Sequence, residues 1–243
     1  MKKLLVVWFS LALSLPLNGH AQIRETIKRF SNSALTQQDA ANGIKQALVK
    51  GASTGVDLVS KVDGYLANPE IKIPFPPDAA AIETELRAIG LGKQIDQVIL
   101  SMNRAAEDAA HDAKPIFVNA IKKMTITDAI SIVRGDSNAA TNYLKNGTSA
   151  ALILKFQPSI KSSLEKVKAT KYWTDIVTTY NMLPLVTRMN PNLSEYVTGK
   201  AIDGLFVMIG KEELAIRNDP VARTTDLLKK VFGKVSLSPA GTK

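Results

Sequence analysis

The chain has 243 residues, of which 45% are hydrophobic, no cysteine, and a net charge of +9. This composition is typical of a folded protein that buries a core, and it excludes a disordered chain and a disulfide-stapled scaffold. Nucleic acid is not an expected partner, because no basic motif with interleaved aromatic residues accompanies the charge. The lysines are scattered, so the charge favours solubility first and anionic envelope surfaces second.

The first 21 residues have the three parts of a secretory signal peptide. Lys2 and Lys3 precede an uncharged and nearly all-apolar run at residues 4–15, and small residues then indicate cleavage after Ala21. A spanning helix needs about 20 apolar residues, so an uncleaved membrane anchor is the weaker alternative. The mature chain is therefore expected in the periplasm or outside a bacterial cell, with no later transmembrane segment and a charge of about +7.

Hydrophobic spacing predicts an all-α fold, an irregular multi-helix single domain over residues 35–235. A polar lead-in at 22–34 precedes this domain, and a polar tail at 236–243 follows it. The predicted helices begin at or near Thr36, Asp78, Lys93, Pro115, Thr125, Asp136, Ala150, Pro158, Trp173, Leu193 and Asp219. Gly147 is expected to interrupt the chain between the helices that begin at Asp136 and Ala150.

Residues 68–77 differ from the rest because their four prolines exclude a helix. Ile71, Ile73 and Phe75 alternate there with polar or proline positions, which is typical of extended chain with one buried side. The segment is predicted to be an extended Pro-rich arm laid across the domain, or alternatively an edge strand.

Gly51 and Gly55 lie on the apolar face of the helix that begins after Thr36. Each costs about 1 kcal/mol relative to alanine in a helix, so something is expected to approach this face closely. Another helix is the simplest neighbour, and a ligand pressed against bare backbone is the alternative.

Most catalytic and metal-binding arrangements are missing from the sequence. His111 is the one histidine that remains after cleavage, and there is neither a cysteine nor a Gly-x-Ser-x-Gly motif. No metal and no cofactor is therefore expected. Carboxylates remain as the enzymatic option, in a hydrolase or lyase using Glu107, His111, Glu212 or Glu213, although the balance favours a protein that is not an enzyme.

Two charged pairs lie four residues apart, one helical turn. Glu107 and His111 are predicted to be an exposed helix pair, since two ligands do not make a metal site. Glu213 and Arg217 are predicted to form an ion pair within a structural network that includes Asp219.

Seven residues are candidates for contact with a ligand. Asn103 lies at the margin of an apolar stripe, where a polar side chain must find partners, and a structural hydrogen bond is the first expectation. Aromatic residues at helical spacing could line a cleft, although such residues usually belong to the core. The candidates are Asn103, Arg104, Glu107, Tyr143, Tyr196, Phe206 and Arg217.

Short motifs follow one another in a specific order along the chain. They are Asp63-Gly64-Tyr65, Ile73-Pro74-Phe75-Pro76, Asn103-Arg104-Ala105-Ala106-Glu107, Met124-Thr125-Ile126-Thr127-Asp128-Ala129, Arg134-Gly135, Ala139-Ala140-Thr141-Asn142-Tyr143, Tyr196-Val197-Thr198, Gly204-Leu205-Phe206, Ile216-Arg217-Asn218-Asp219-Pro220 and Thr224-Thr225-Asp226-Leu227-Leu228. With them the chain resembles DUF4197, an exported bacterial domain of unknown function, over roughly residues 35–235. The resemblance implies export and sometimes a lipid anchor, but no assigned activity. This chain lacks the cysteine that such an anchor requires.

The sequence thus predicts a non-catalytic binding protein of the periplasm. Its ligand would be an apolar or amphipathic envelope molecule, such as a lipid, or a partner protein. The alternatives are the carboxylate-based hydrolase or lyase and a structural envelope protein that acts as an oligomer.

Overall fold

A computed structural model of the protein describes residues 36–88, 90, 92–182, 184, 188–190 and 192–219. These residues form eight α-helices and no strand, which confirms the all-α prediction. The helices are α1 (Gln37–Val59), α2 (Ala80–Ala88), α3 (Gly92–Ala110), α4 (Ala113–Lys123), α5 (Ile126–Arg134), α6 (Ala139–Lys166), α7 (Ala169–Asn181) and α8 (Leu193–Asn218). The predicted signal peptide, the lead-in, the helix after Asp219 and the polar tail lie outside the described residues.

The core is built around α8, which packs against α6 and against α1 more extensively than any other two helices pack together. α3 lies against α6 and α8, α4 against α1 and α6, and α5 against α1. α7 contacts α6, α8 and α3. Within the described part of the chain, no helix combines the length and apolar character needed to cross a membrane.

The glycine-bearing face of α1 packs against α8. A β-carbon at Gly55 would lie 3.1 Å from Cγ1 of Ile209, and one at Gly51 would lie 3.5 Å from Cδ1 of Ile216. The two glycines therefore serve close helix-to-helix contact, the simpler of the two explanations that the sequence allowed.

Two helix starts follow local rules that the sequence already displays. Thr36 and Asp39 form a reciprocal capping box at the start of α1, and Thr125 and Asp128 form another at the start of α5. In each box the threonine side chain accepts a backbone N–H and the aspartate accepts the N–H of the threonine.

The prediction that Gly147 interrupts a helix is wrong, because α6 runs unbroken for 28 residues through both Gly147 and Pro158. Its buried residues recur every four positions and therefore drift around the helix, so successive turns face different neighbours. Leu154 and Pro158 are both exposed, so the carbonyl that Pro158 deprives of its donor lies toward water. Tertiary packing along the whole helix outweighs the two helix-breaking residues.

The arm (residues 68–76) contains neither helix nor strand and has no strand partner among the described residues. The prediction of extended chain over residues 68–77 is wrong at both ends. The N–H groups of Ile71 and Lys72 donate to the carbonyl oxygen of Asn68 in a turn, and Pro77 begins a short 3-10 helix (Pro77–Ala79). Ile71, Ile73 and Phe75 point into the core and are buried, while Pro74 between them is exposed. The ring of Phe75 meets that of Trp173 edge to face, with centroids 5.4 Å apart. The alternating apolar residues of the arm are thus buried against helices, and they do not indicate a strand.

Gly204 on α8 gives a test of this close packing. An alanine β-carbon there would lie 2.8 Å from Cε1 of Tyr65 and 3.1 Å from Cβ of Ile71. Because Tyr65 is fully buried and hydrogen-bonded, we expect Gly204→Ala to lower the free energy of unfolding by about 1–3 kcal/mol. Gly199→Ala, on the same helix with nothing within 4 Å, should instead stabilise the protein by up to about 1 kcal/mol. Urea unfolding of both variants measures the difference, and equal effects would contradict the packing argument.

Candidate functional site

Asn103 fastens the arm to α3. It is fully buried, and its Oδ1 accepts the N–H of Ile73 at 2.9 Å. Its Nδ2 donates to the carbonyl oxygens of Ile73, at 2.9 Å, and of Ile99, at 2.8 Å. The amide therefore pairs with the backbone of Ile73 on both sides, as a neighbouring strand would. This is a structural arrangement, and both polar atoms of Asn103 are already engaged.

Glu107 and Arg104 hold the Tyr65 loop (residues 60–67) against the same helix. Glu107 is buried, and its Oε1 accepts hydrogen bonds from the N–H groups of Tyr65 and Leu66. Its Oε2 accepts a hydrogen bond from Nη1 of Arg104 at 2.6 Å. Arg104 also donates Nη2 to Asp63 at 2.7 Å. The prediction that Glu107 forms an exposed pair with His111 is therefore wrong. The Glu107 carboxylate accepts the N–H groups of the loop backbone instead of pairing with His111, one helical turn away.

The ring of Tyr65 connects this loop to α8. Its hydroxyl donates to the carbonyl oxygen of Ala201 at 2.6 Å. Burial raises the pKa of Tyr65, and the charge of Glu107 raises it further. The phenol consequently remains a hydrogen-bond donor and holds the Tyr65 loop in place.

Glu213 closes the start of α6 from a distant helix. Its carboxylate accepts the N–H of Ala140 at 3.0 Å, and the N–H and hydroxyl of Thr141, both at 2.8 Å. The predicted ion pair with Arg217 is present at 2.8 Å, and Arg217 also donates to the carbonyl oxygen of Ile132 in the last turn of α5. The prediction that Asp136 caps α6 is wrong, because Glu213 accepts the N–H groups at the start of that helix. A carboxylate near a helix N-terminus stabilises the helix most when the carboxylate is buried, as that of Glu213 is.

The interior beside Glu213 leaves little room for a ligand. α1, α5, α6 and α8 enclose a cavity of about 30 Å³, lined mainly by apolar side chains and by Glu213 and Arg217. That volume holds about one water molecule. Arg217 is thus placed in a structural cluster, away from any groove large enough for an organic molecule.

The three aromatic candidates lie in separate places. Phe206 is buried edge to face against Phe117, with ring centroids 5.8 Å apart. Tyr143 is half-buried beside Asp128, and burial together with that carboxylate raises the pKa of Tyr143. Tyr196 donates its hydroxyl to the carbonyl oxygen of Pro74 at 3.2 Å. They do not converge on one cleft.

The residues considered for acid–base chemistry are also dispersed. Glu107 serves the Tyr65 loop, Glu213 caps α6, and His111 is exposed at the end of α3. Burial raises the pKa of Glu212, and the nearby charge of Lys50 opposes that shift. None of the grooves and cavities described in this section contains two of these four residues. No group of three or more His, Asp or Glu side chains in the described ranges is arranged to hold a metal ion.

Of the depressions that described residues line, the largest is a groove between α3, the end of α6 and the start of α7, with a volume of about 720 Å³. Its walls combine apolar and polar side chains. The lining residues are Gln94, Gln97, Val98, Leu100, Ser101, Arg104, Ala105, Asp108, Ser163, Lys166, Val167, Ala169 and Tyr172. The volume lies in the range of sites that bury a small organic ligand.

Arg104 is the one sequence-predicted candidate that lines this groove, where it lies 37% exposed. Lys166 adds a second cation, and no described carboxylate lies within ion-pair distance of it. Asp108 is the one acidic side chain of the lining. The groove therefore offers two cations beside an apolar wall.

A smaller groove of about 350 Å³ lies where α8 begins. Tyr196 lines it, together with Trp173, Asn190 and Lys200. Asn192 and Glu195, which also line it, are occupied with the cap of α8. Pro76 and Met189 add apolar surface to this groove, so it differs from the larger one chiefly in its smaller volume.

The described residues form an all-helical protein with an open groove that apolar and polar side chains line together. The sequence profile of a family described as "Protein of unknown function (DUF4197)" matches residues 34–233. The chain belongs to the DUF4197 family, which confirms the resemblance read from its motifs. No curated protein and no solved structure matched the chain.

Sequence reasoning missed most of the groove. Lys166, Val167 and Tyr172 come from the connection between two helices, and Gln94 and Gln97 come from the polar side of α3. One local signal was available, since residues 166–172 contain three lysines, a valine and a tyrosine. The two walls lie 55 residues or more apart along the chain, so spacing alone could not join them.

Proposed function

We propose that the mature chain acts in the periplasm as a binding protein without catalytic activity. Its ligand is an amphipathic molecule with an anionic group, held in the groove between α3, α6 and α7. The observation that carries this proposal is the pairing of an apolar wall with Arg104 and Lys166 in the largest groove. The dispersal of the acid–base residues gives no comparable support to the hydrolase or lyase alternative.

The apolar wall would take the hydrocarbon part of the ligand. Val98, Leu100, Ala105 and Val167 contribute to it, and each buried methylene group contributes about 0.8 kcal/mol. The ring of Tyr172, half exposed at the rim, offers an amphipathic edge. A molecule with a single chain suits a groove that is open along one side.

The two cations would select the head group. The guanidinium of Arg104 is held by Asp63 and Glu107, which fixes its position and leaves further N–H donors. The ammonium of Lys166 is not tied to a described carboxylate. A charge-assisted hydrogen bond is worth about 1.5–3 kcal/mol, so an anionic head should bind roughly ten to a hundred times more tightly than a neutral one.

A titration with dansyl-labelled undecanoate, followed by dansyl fluorescence below its micellar concentration, tests this proposal. We expect saturable binding of the carboxylate and at least roughly tenfold weaker binding of its neutral methyl ester. Binding of both with equal affinity, or of neither, would overturn the proposal.

Filling the groove supplies the second arm of the test. Ser101→Trp places an indole in the groove lining and should weaken dansyl-undecanoate binding by roughly tenfold or more, because the ligand must displace it. Ser131→Trp is the matched control, since Ser131 is exposed on α5 and does not line the groove. Thermal unfolding of both variants shows that they are folded, and an equal loss of binding in both would count against the groove as the site.

A further inference from the structure

The connection between α6 and α7 forms a basic and apolar projection beside the groove, which we name the basic turn (residues 166–172). It carries Lys166, Lys168 and Lys171 within seven residues. Val167 is 54% exposed and Tyr172 is 50% exposed, so an aliphatic and an aromatic side chain stand out between the lysines. They are two of nine exposed large apolar side chains among the described residues, and these two lie within one short segment that also carries three lysines.

The charges of the basic turn are less neutralised than those elsewhere on α6. Lys145, Lys155 and Lys161 each lie within 4.0 Å of an acidic side chain. In the described part of the chain neither Lys166 nor Lys168 has such a partner, whereas Lys171 pairs with Asp175 at 2.7 Å. The turn therefore presents positive charge that the fold itself does not use.

Two further features of the turn concern Lys168 and Thr170. Lys168 has φ of 58°, in the left-handed region where glycine is favoured, so a lysine stands where the backbone prefers no side chain. The hydroxyl of Thr170 is buried without a described hydrogen-bond partner, and Thr170 lines a shallow depression with Glu165, Lys168, Lys171 and Tyr172.

We propose that the basic turn docks the protein on the surface of an anionic lipid bilayer. Lys166 and Lys168 face the lipid phosphates, and Val167 and Tyr172 enter the interface, where amphipathic rings such as tyrosine concentrate. Charge complementarity favours this occupant, because each lysine near an anionic bilayer surface adds attraction that salt screens. A second copy of the chain, which is also basic, would be repelled by the same turn.

Docking in this orientation places the groove mouth at the bilayer, since Lys166, Val167 and Tyr172 belong to both the turn and the groove lining. The ligand would then be taken from, or delivered to, the lipid surface. This last step rests on the proposed function, whereas docking itself does not.

Vesicle co-sedimentation of the purified chain tests the docking. We expect binding to vesicles of equal parts phosphatidylglycerol and phosphatidylcholine, weakening as salt is added, and no binding to phosphatidylcholine alone. The double variant Lys166→Gln/Lys168→Gln should bind the anionic vesicles roughly ten- to thirtyfold more weakly, from the effect of two lysines near such a surface.

The matched control is Lys122→Gln/Lys123→Gln, which removes the same charge from two exposed lysines at the end of α4. It should weaken vesicle binding by less than about threefold, the residual effect of net charge at a distance. Equal losses in the two pairs would overturn the proposal, because they would mean that net charge alone drives the binding. Absence of binding to anionic vesicles, or equal binding to neutral ones, would overturn it as well.

The dansyl titration, done without vesicles, separates the two proposals. Saturable dansyl binding together with a failure to bind vesicles overturns docking and leaves the groove intact. Turn-dependent vesicle binding together with no dansyl binding supports docking and overturns the proposed function. The dansyl titration thus tests the groove alone, and vesicle co-sedimentation tests the docking alone.

Discussion

Replacing Glu213 by alanine should destabilise the protein by about 3–5 kcal/mol, the usual effect of removing one partner from a buried ion pair. The substitution leaves the guanidinium of Arg217 largely buried without its carboxylate. It also removes the acceptor for the N–H groups of Ala140 and Thr141 at the start of α6. Because one carboxylate connects three helices, the loss should appear in the global unfolding transition.

Urea unfolding followed by circular dichroism measures this effect. Glu212→Ala is the matched control, since the neighbouring carboxylate is partly exposed and makes no hydrogen bond or ion pair with a described residue. It should cost less than about 1 kcal/mol, as most surface substitutions do. Equal losses at the two positions would contradict the assignment of Glu213 as the cap of α6.

A double variant separates the ion pair from the cap. Replacing Arg217 by methionine as well as Glu213 by alanine removes both charges of the pair. We expect the double variant to cost less than the sum of the two single variants, since contacting residues couple by about 0.5–3 kcal/mol. Strict additivity would show that the two side chains stabilise the fold independently.

Replacing Asn103 by leucine is the second substitution with a large expected effect, a loss of about 2–4 kcal/mol of unfolding free energy. Leucine has a similar size but leaves the N–H and the carbonyl oxygen of Ile73 buried without partners, at about 1–3 kcal/mol for each group. The arm would be weakened most, because this amide joins it to α3.

Hydrogen exchange detects this local effect. We expect the amide of Ile73 to lose protection in the Asn103→Leu variant before the amides of α6 do, since protection reports local opening. Asn119→Leu, at an exposed position on α4, is the matched control and should change stability by no more than about 0.5 kcal/mol. An unchanged exchange rate at Ile73 would contradict the role of the Asn103 side chain in holding the backbone of Ile73.

Most of the polar side chains that the sequence indicated as ligand contacts stabilise the fold. Asn103, Glu107 and Arg217 are polar side chains that the sequence offered as ligand contacts, yet each is engaged with backbone or charge inside the fold. Arg104 is different, because it holds the Tyr65 loop and also borders the groove. The chemistry of the groove therefore depends on residues outside the predicted set, Lys166 above all.

The sequence by itself determined the features that depend on neighbours along the chain. Helical periodicity gave the all-α class, and threonine–aspartate spacing gave the caps of α1 and α5. The prolines of residues 68–77 indicated a segment without α-helix, and the spacing of Glu213 and Arg217 indicated their ion pair. Each of these rests on steric or electrostatic contact within about one turn, so the local sequence carries the information.

Tertiary structure alone decided the features that join distant segments. Glu213 caps a helix more than 70 residues away, Glu107 turns to the Tyr65 loop instead of His111, and α6 continues through Gly147 because core contacts outweigh a local preference of about 1 kcal/mol. The groove likewise exists only where α3 meets the end of α6. Such contacts depend on which helices pack together. The total apolar surface buried in the whole core determines that packing, and no short stretch of sequence specifies it.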